Sequence, residues 1–315
     1  MKVFLAGATG AVGRPLIKQL IERGHEVTGM TRSESKTELL RELSAEPVVA
    51  DALDPDGVAR AVAEANPDVI VHQLTAIEAS FNPRRMEHAF ATTNRLRTEG
   101  TDHLLAAGRA VGVKRFVAQS FAPWPYARTG GMVKSEDDPL DPSPPDEVRT
   151  TVDAIKYLER AVTGADWTEG IALRYGGFYG PGTSIGLDPP GEQIEMIQKR
   201  KFPLAGKGTG VWSFIHIDDA ASATVEAVEH GTRGIYNVVD DEPAPISEWL
   251  PVLAKALGAK PPRHVPLWLA RLAGGKVTQV MMSDLRGSSN TKAKRELGWR
   301  PRYPSWRDGF AKGLG

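Results

Sequence analysis

Gly7, Thr9, Gly10, Ala11, Val12 and Gly13 form the stretch of this chain whose spacing most directly points to a ligand. Glycines three apart let a backbone turn tightly and approach a bound group, and free amides at the start of a following helix attract negative charge. That chemistry is phosphate binding, and between a strand and a helix it is the pyrophosphate of a dinucleotide. What the 315 residues lack removes other chemistries. Cysteine is absent, so there is no disulfide, thiolate metal site or cysteine nucleophile. The seven histidines never form a ligand pattern such as HExxH, so no metal is expected. Gly-x-Ser-x-Gly is also missing, and with it the usual sign of a hydrolase nucleophile.

For the turn to act as a cradle, particular elements have to hold it. Val3 to Ala6 is an apolar run of strand length, and Leu16, Ile17, Leu20 and Ile21 repeat at helical spacing. Pro15 falls in or near the first helical turn, where a missing amide costs little. A second strand follows at His25–Met30. The pattern then alternates: helix 36–44, strand 47–50, helix 55–65, strand 68–73, a long helix 84–111, and strand 115–119. This predicts an α/β fold, a Rossmann-type doubly wound parallel sheet that binds ligands beyond the carboxyl ends of its strands.

Between Trp124 and Val148, Glu136, Asp137, Asp138, Asp141, Asp146 and Glu147 mix with Pro139, Pro142, Pro144 and Pro145. Such proline density predicts a loop, either a solvated connector or a lid. Helix 149–163, strand 169–174, an irregular stretch 185–191 and helix 193–200 come next. Strand 212–217, helix 218–229 and a strand at 234–239 that completes the sheet follow them. The remainder is mostly helical, at 246–257 and 265–272. The expected organisation is a nucleotide-binding domain of residues 1–175 and about 206–241. A smaller substrate-binding region takes about 176–205 and 242–315.

Balanced charge, 39 basic against 39 acidic residues, gives no reason to expect nucleic acid or a membrane surface as partner. No apolar run is long enough to span a bilayer, and the N-terminus runs straight into the first strand with no room for a signal peptide. The reading is a soluble cytoplasmic protein acting on a small molecule.

Across nearly its whole length the sequence resembles the extended short-chain dehydrogenase/reductases, the NAD(P)-dependent sugar epimerases, dehydratases and reductases. The resemblance rests on Gly7/Gly10/Gly13, on Asn94 followed by Gly100, Leu104-Leu105 and Ala106-Ala107, and on Leu173-Arg174-Tyr175 with Tyr179-Gly180-Pro181. Phe214-Ile215-His216-Ile217-Asp218-Asp219 and Lys292-Ala-Lys-Arg-Glu-Leu-Gly298-Trp299 complete it. It implies that Asp51 and Ala52 lie by the adenine, that Leu74, Thr75 and Ala76 run along the cofactor, and that Asn94 and Tyr175 belong to the cofactor site. His216 is implied to tie a strand to the next helix. Many relatives dimerise through the fourth and fifth helices, so the resemblance allows a homodimer.

An acidic residue at the end of the second strand would hold a ribose 2′-hydroxyl, whereas an arginine suits a 2′-phosphate. Here the strand ends Thr31-Arg32-Ser33, with no carboxylate before Glu34 and with Arg14 as a second nearby cation. NADP(H) is favoured over NAD(H).

The family's catalytic pair is a tyrosine and a lysine four residues apart on one helix, joined by a serine or threonine after the fifth strand. The lysine lowers the tyrosine pKa so that it passes a proton. None of the six tyrosines has a lysine four residues on. In Val152-Asp-Ala-Ile-Lys156 the lysine is present and valine replaces the tyrosine, so Lys156 keeps a role at the cofactor ribose and Val152 has no proton to give. Ser120 falls on or within one residue of the family serine. Tyr126, in Trp124-Pro125-Tyr126, is the best substitute acid, although a pocket wall suits it better. Tyr175 and Tyr179 could also reach the pocket, while Tyr157 faces elsewhere. The leading function is an NADP-dependent oxidoreductase on a carbonyl or alcohol with a non-standard proton donor. A non-catalytic NADP-binding regulator or sensor, and a nucleotide-sugar epimerase or dehydratase, are the alternatives.

Overall fold

The computed structural model describes residues 1–77, 83–123 and 126–315. Among them, seven parallel strands build the central sheet: β1 (Lys2–Ala6), β2 (Glu26–Thr31), β3 (Glu46–Val49), β4 (Val69–His72), β5 (Arg115–Phe121), β6 (Glu169–Tyr175) and β7 (Gly234–Val238). Their order is β7-β6-β5-β4-β1-β2-β3. The chain reverses direction across the sheet between β1 and β4, which opens a crevice beyond their carboxyl ends.

Both faces are covered, as the nearly continuous apolar runs of the strands require. On one face, Val3, Leu5, Val71 and Leu173 pack under α1 (Gly13–Glu22) and α8 (Ile217–His230). On the other, Phe4, Ile70 and Phe116 pack under α3 (Pro55–Ala65), α5 (Thr101–Val111) and α6 (Arg149–Thr163). A second core lies beside the carboxyl ends of the strands. There Phe214 meets Trp249 at 5.2 Å and Phe310 at 5.3 Å, both edge-on. These rings belong to the short strand Phe214–His216, α9 (Ile246–Ala256) and α12 (Trp306–Lys312).

Two elements differ from the sequence reading. The helix expected over 84–111 is interrupted: α4 (Met86–Arg95) and α5 are separated by a π-turn at Leu96–Gly100. Thr98 and Thr101 bond back to the carbonyls of Asn94 and Arg97 there, drawing acceptors away from the regular ladder. The strand expected over 212–217 breaks at Ser213, whose carbonyl takes the Gly177 amide, so Phe214–His216 pairs with Gly177–Tyr179 outside the main sheet.

The stretch from 126 to 148 has little regular structure, but it is no solvated connector. Val133–Lys134 pairs with Gly287–Ser288, and Lys134 and Asp141 are buried. Trp124 and Pro125 lie outside the described residues. At the open side of β7, Glu136 accepts the Asn237 amide at 2.6 Å and Lys292 donates to the Ile235 carbonyl at 2.9 Å.

Candidate functional site

The glycine turn is built to leave room. At Gly7, with φ +95°, a Cβ would come within 2.6 Å of the Gln73 carbonyl; at Gly13 it would meet the Gly7 carbonyl at 2.3 Å. These two positions therefore let the turn pack against β4 and let α1 start on top of it. Gly10 is different: it is exposed, and the Gly7 oxygen at 3.2 Å is its sole near neighbour. The Ala11 and Val12 amides make no backbone hydrogen bond among the described residues. A dinucleotide pyrophosphate fits this cradle, with the helix start supplying donors and partial positive charge.

Thr31 is buried at the end of β2 and its hydroxyl accepts the Ser33 amide, while Arg32 is exposed and has no ion pair among the described residues. Arg14 extends from α1 to the loop carrying Gly182, where a Cβ would come within 2.8 Å of its guanidinium. Asp51 is exposed and accepts the Leu53 amide, and the Ala52 carbonyl is held by His103. The Leu74 amide bonds to His72, the Ala76 amide bonds to Thr93, and Thr75 between them is exposed. Asn94 donates to Thr151 at 3.2 Å, and its carbonyl oxygen is buried with no partner, a free acceptor at the start of α6. His72 is fully enclosed, and burial pushes it down to about 4.

The residues expected to move a proton are tied elsewhere. Ser120, 1% exposed, donates to Glu159 at 2.7 Å. Glu159 also takes a two-pronged contact from Arg174, at 2.6 and 2.7 Å, with both side chains almost wholly out of solvent. The remaining arm of Arg174 donates to the Tyr126 hydroxyl at 2.8 Å, and Tyr126 gives its own proton to Asn237 at 2.7 Å. Burial pushes the Tyr126 phenol up to about 12, although the neighbouring Arg174 charge pulls the other way. Arg97 is buried beside this network with one guanidinium nitrogen unpartnered, and burial pulls it down to about 10 against the attraction of Glu159.

Ser120 and Tyr126 are thus parts of a buried polar network, in which neither has a free proton. Tyr126 does line a cavity, as a wall. Tyr175 does not reach a cofactor surface: its hydroxyl is held between Gln73 and Thr224 in the core, and burial raises it to about 12. Tyr179 is equally buried, packed edge-on against His216 and Phe310. Tyr157 bonds Asp102 at 2.6 Å on the outer side of α6. Val152 is fully buried, and Lys156, one turn on, donates to the Asp141 carbonyl at 2.9 Å. His216 ties two elements together: Nδ1 caps α8 at Asp218, and Nε2 meets the Gly313 carbonyl at 2.9 Å.

Sequence reasoning gave no role to Glu159, Arg174 and Asn237. Their signal was present, since an arginine inside the apolar run Gly170–Tyr175 must find a buried carboxylate. Among the described residues, Glu226, Glu229 and His230 are close enough to share a metal ion. They lie at the amino ends of the strands, away from the cradle, and Arg23 and His25 already pair with two of them.

Residues 3–238 match the model of the NAD dependent epimerase/dehydratase family. The chain belongs to that family. A Streptomyces relative named 3-diazoavenalumate denitrifying reductase is 46% identical over 99% of this chain and 100% of its own length. The UDP-glucose 4-epimerase of Mycolicibacterium smegmatis is 27% identical over 99% of this chain and 97% of its own. The fold agrees with the Thermotoga maritima UDP-glucose 4-epimerase, solved with UDP-glucose, at TM-score 0.77 and 22% identity, covering 100% of this chain and 97% of that one. Within the epimerase/dehydratase family, the chain is an oxidoreductase-type protein with an NAD(P)-binding Rossmann sheet. Among the described residues no helix is long and apolar enough to cross a membrane.

Proposed function

We propose that this chain is an NADPH-dependent reductase whose acceptor takes a hydride without needing a proton from the protein, and that the acceptor is an aromatic diazo carboxylate. The reading is supported by two hydroxyls that have no free proton, Ser120 engaged by Glu159 and Tyr126 by Asn237, together with the fully buried Val152, which the resemblance sets at the proton-donor position. Reduction of a carbonyl creates an alkoxide, and losing its general acid costs about 10²–10⁴-fold. An arenediazonium creates none: the hydride bonds to the ring carbon, the C–N bond breaks with its electrons leaving on nitrogen, and the products are arene and dinitrogen. Charge balances without a proton. The name of the Streptomyces relative, a denitrifying reductase of a diazo carboxylate, supports this choice.

When bound, the reduced nicotinamide supplies the hydride. The chain's own part is to seat the cofactor and exclude water. Gly7, Gly10 and Gly13 make the cradle, the exposed Arg32 favours a 2′-phosphate while Arg14 reaches instead to the Gly182 loop, and Lys156 and Asn94 offer a donor and an acceptor at α6.

The test is to supply freshly diazotised 3-aminocinnamate and 4-deuterated NADPH, against a control without protein. One equivalent each of NADP⁺, dinitrogen and ring-deuterated cinnamate supports the reading. Deuterium drawn from heavy water instead, or faster turnover of a ketone panel, overturns it. Tight NADP⁺ binding with no turnover of either class would leave the sensor reading in its place.

A further inference from the structure

Arg14 is the second residue of α1, directly after the last glycine of the cradle, and its amide donates to the Gly10 carbonyl at 3.2 Å. Side chains on a helix lean towards its N-terminus, so a long one in the first turn leans towards whatever the helix start binds. The guanidinium comes to rest against Gly182, where the lack of a Cβ leaves it room. Arg14, Gly182 and Gly10 are all exposed.

The loop that Arg14 reaches is fixed from within. The Gly180 amide donates to the Ile185 carbonyl at 2.9 Å, and the Thr183 hydroxyl donates back to the Gly180 carbonyl at 2.8 Å. Gly180 also packs on His216, the cap of α8, where a Cβ would lie 2.7 Å from Nε2. α8 leads into β7, a parallel strand, so it starts on the carboxyl side of the sheet, as α1 does. Arg14 therefore spans from the cradle to a rigid neighbour at the same end of the sheet.

Its charge is in an unfavourable place. The start of a helix carries partial positive charge, which acidic residues relieve and a basic one worsens. α3, α8 and α9 have Asp56, Asp218 and Glu248 in their first turns, whereas α1 has no acidic residue there. Arg23, at the far end of α1, is paired with Glu226 and Glu229. Arg14 has no ion pair or side-chain hydrogen bond among the described residues. Free amides, an unpaired guanidinium and no carboxylate at one helix start form a set that an anion completes, and the planar fork of arginine matches phosphate oxygens.

We propose that Arg14 is a clamp on the cofactor pyrophosphate, acting with the Ala11 and Val12 amides, and that Arg32 alone serves the 2′-phosphate. The proposal concerns the cofactor and does not rest on which acceptor is reduced.

The experiment is calorimetric titration of the native protein and Arg14→Gln with NADP⁺, NAD⁺ and 2′-AMP, which carries the 2′-phosphate but no pyrophosphate. Arg14→Gln should weaken both dinucleotides by the same factor, roughly ten- to hundredfold for a charge-assisted contact, and leave 2′-AMP unchanged. Arg14→Lys should restore part of the loss. Without nucleotide, the melting midpoint of Arg14→Gln should not fall, since the substitution removes a charge that α1 opposes. Loss of NADP⁺ and 2′-AMP affinity with NAD⁺ spared overturns the proposal by moving Arg14 to the 2′-phosphate. Unchanged affinity for all three overturns it as well, and a lowered midpoint would then make Arg14 a structural tie to the Gly182 loop. Failure of the native protein to bind either dinucleotide would remove the cofactor and the clamp together.

Discussion

Replacing Glu159 by glutamine tests whether the buried network is structural. Glu159 accepts from Ser120 and twice from Arg174, and its charge is what Arg97 feels from the interior. Neutralising it leaves two guanidiniums, 2% and 3% exposed, without the carboxylate they share, although Glu136, bonded to the Asn237 amide, still attracts Arg174. Removing one partner of a buried pair costs about 3–5 kcal/mol, because the other charge stays behind without compensation. For a chain of this length the unfolding entropy is about 0.7 kcal/mol/K, so the midpoint should fall by about 5–8 °C. Scanning calorimetry at pH 7, with and without saturating NADP⁺, reads this directly. A loss under about 1 kcal/mol, or about 2 °C, would refute the reasoning. The apolar double replacement Glu159→Leu/Arg174→Met should recover much of the loss, since buried pairs often exchange for hydrophobic contacts at little net cost.

Three further outcomes follow from the same geometry. Tyr126→Phe should keep kcat within about threefold while costing about 1–2 kcal/mol of stability through the lost Asn237 and Arg174 contacts; a fall of tenfold or more would restore the phenol as the proton donor. Arg32→Ala should cut the preference for NADP⁺ over NAD⁺ at least roughly tenfold in a calorimetric titration, and a native protein with no such preference would refute the assignment. His72 sits near 4 in the folded chain against 6.5 when free, so its contribution to stability is intact above about 6.5 and is lost as pH falls towards 4. Between pH 6.5 and 4.5, the native protein should lose about 2–3 kcal/mol more than His72→Asn in denaturant titrations, and identical losses would count against a buried neutral imidazole.

The sheet was legible because its signals are local. Gly7 to Gly13, the apolar runs and the spacing of Leu16, Ile17 and Leu20 each describe their own neighbourhood, and β1 to β7 follow. His216 was legible for the same reason, since the residue it caps, Asp218, is two positions on. The catalytic candidates were not, because their partners are remote. Ser120 reads as a free hydroxyl until Glu159, 39 residues later, is placed against it. Tyr126 reads as an acid until Asn237, 111 residues away, accepts its proton. The break in the 84–111 helix was written in Thr98 and Thr101, whose hydroxyls reach back a turn, but such residues also occur in unbroken helices.

A parallel sheet is an open template at its two outer strands, and each exposed amide or carbonyl there invites a further strand from another molecule. In this protein both outer rows are closed by different means. β3 is four residues long and contains Pro47, so it offers little to pair with. β7 has its Asn237 amide occupied by Glu136 and its Ile235 carbonyl occupied by Lys292. The 126–148 loop and the helix near the chain's end therefore also cover the outer row of β7, leaving that edge with fewer free groups for a strand of another molecule.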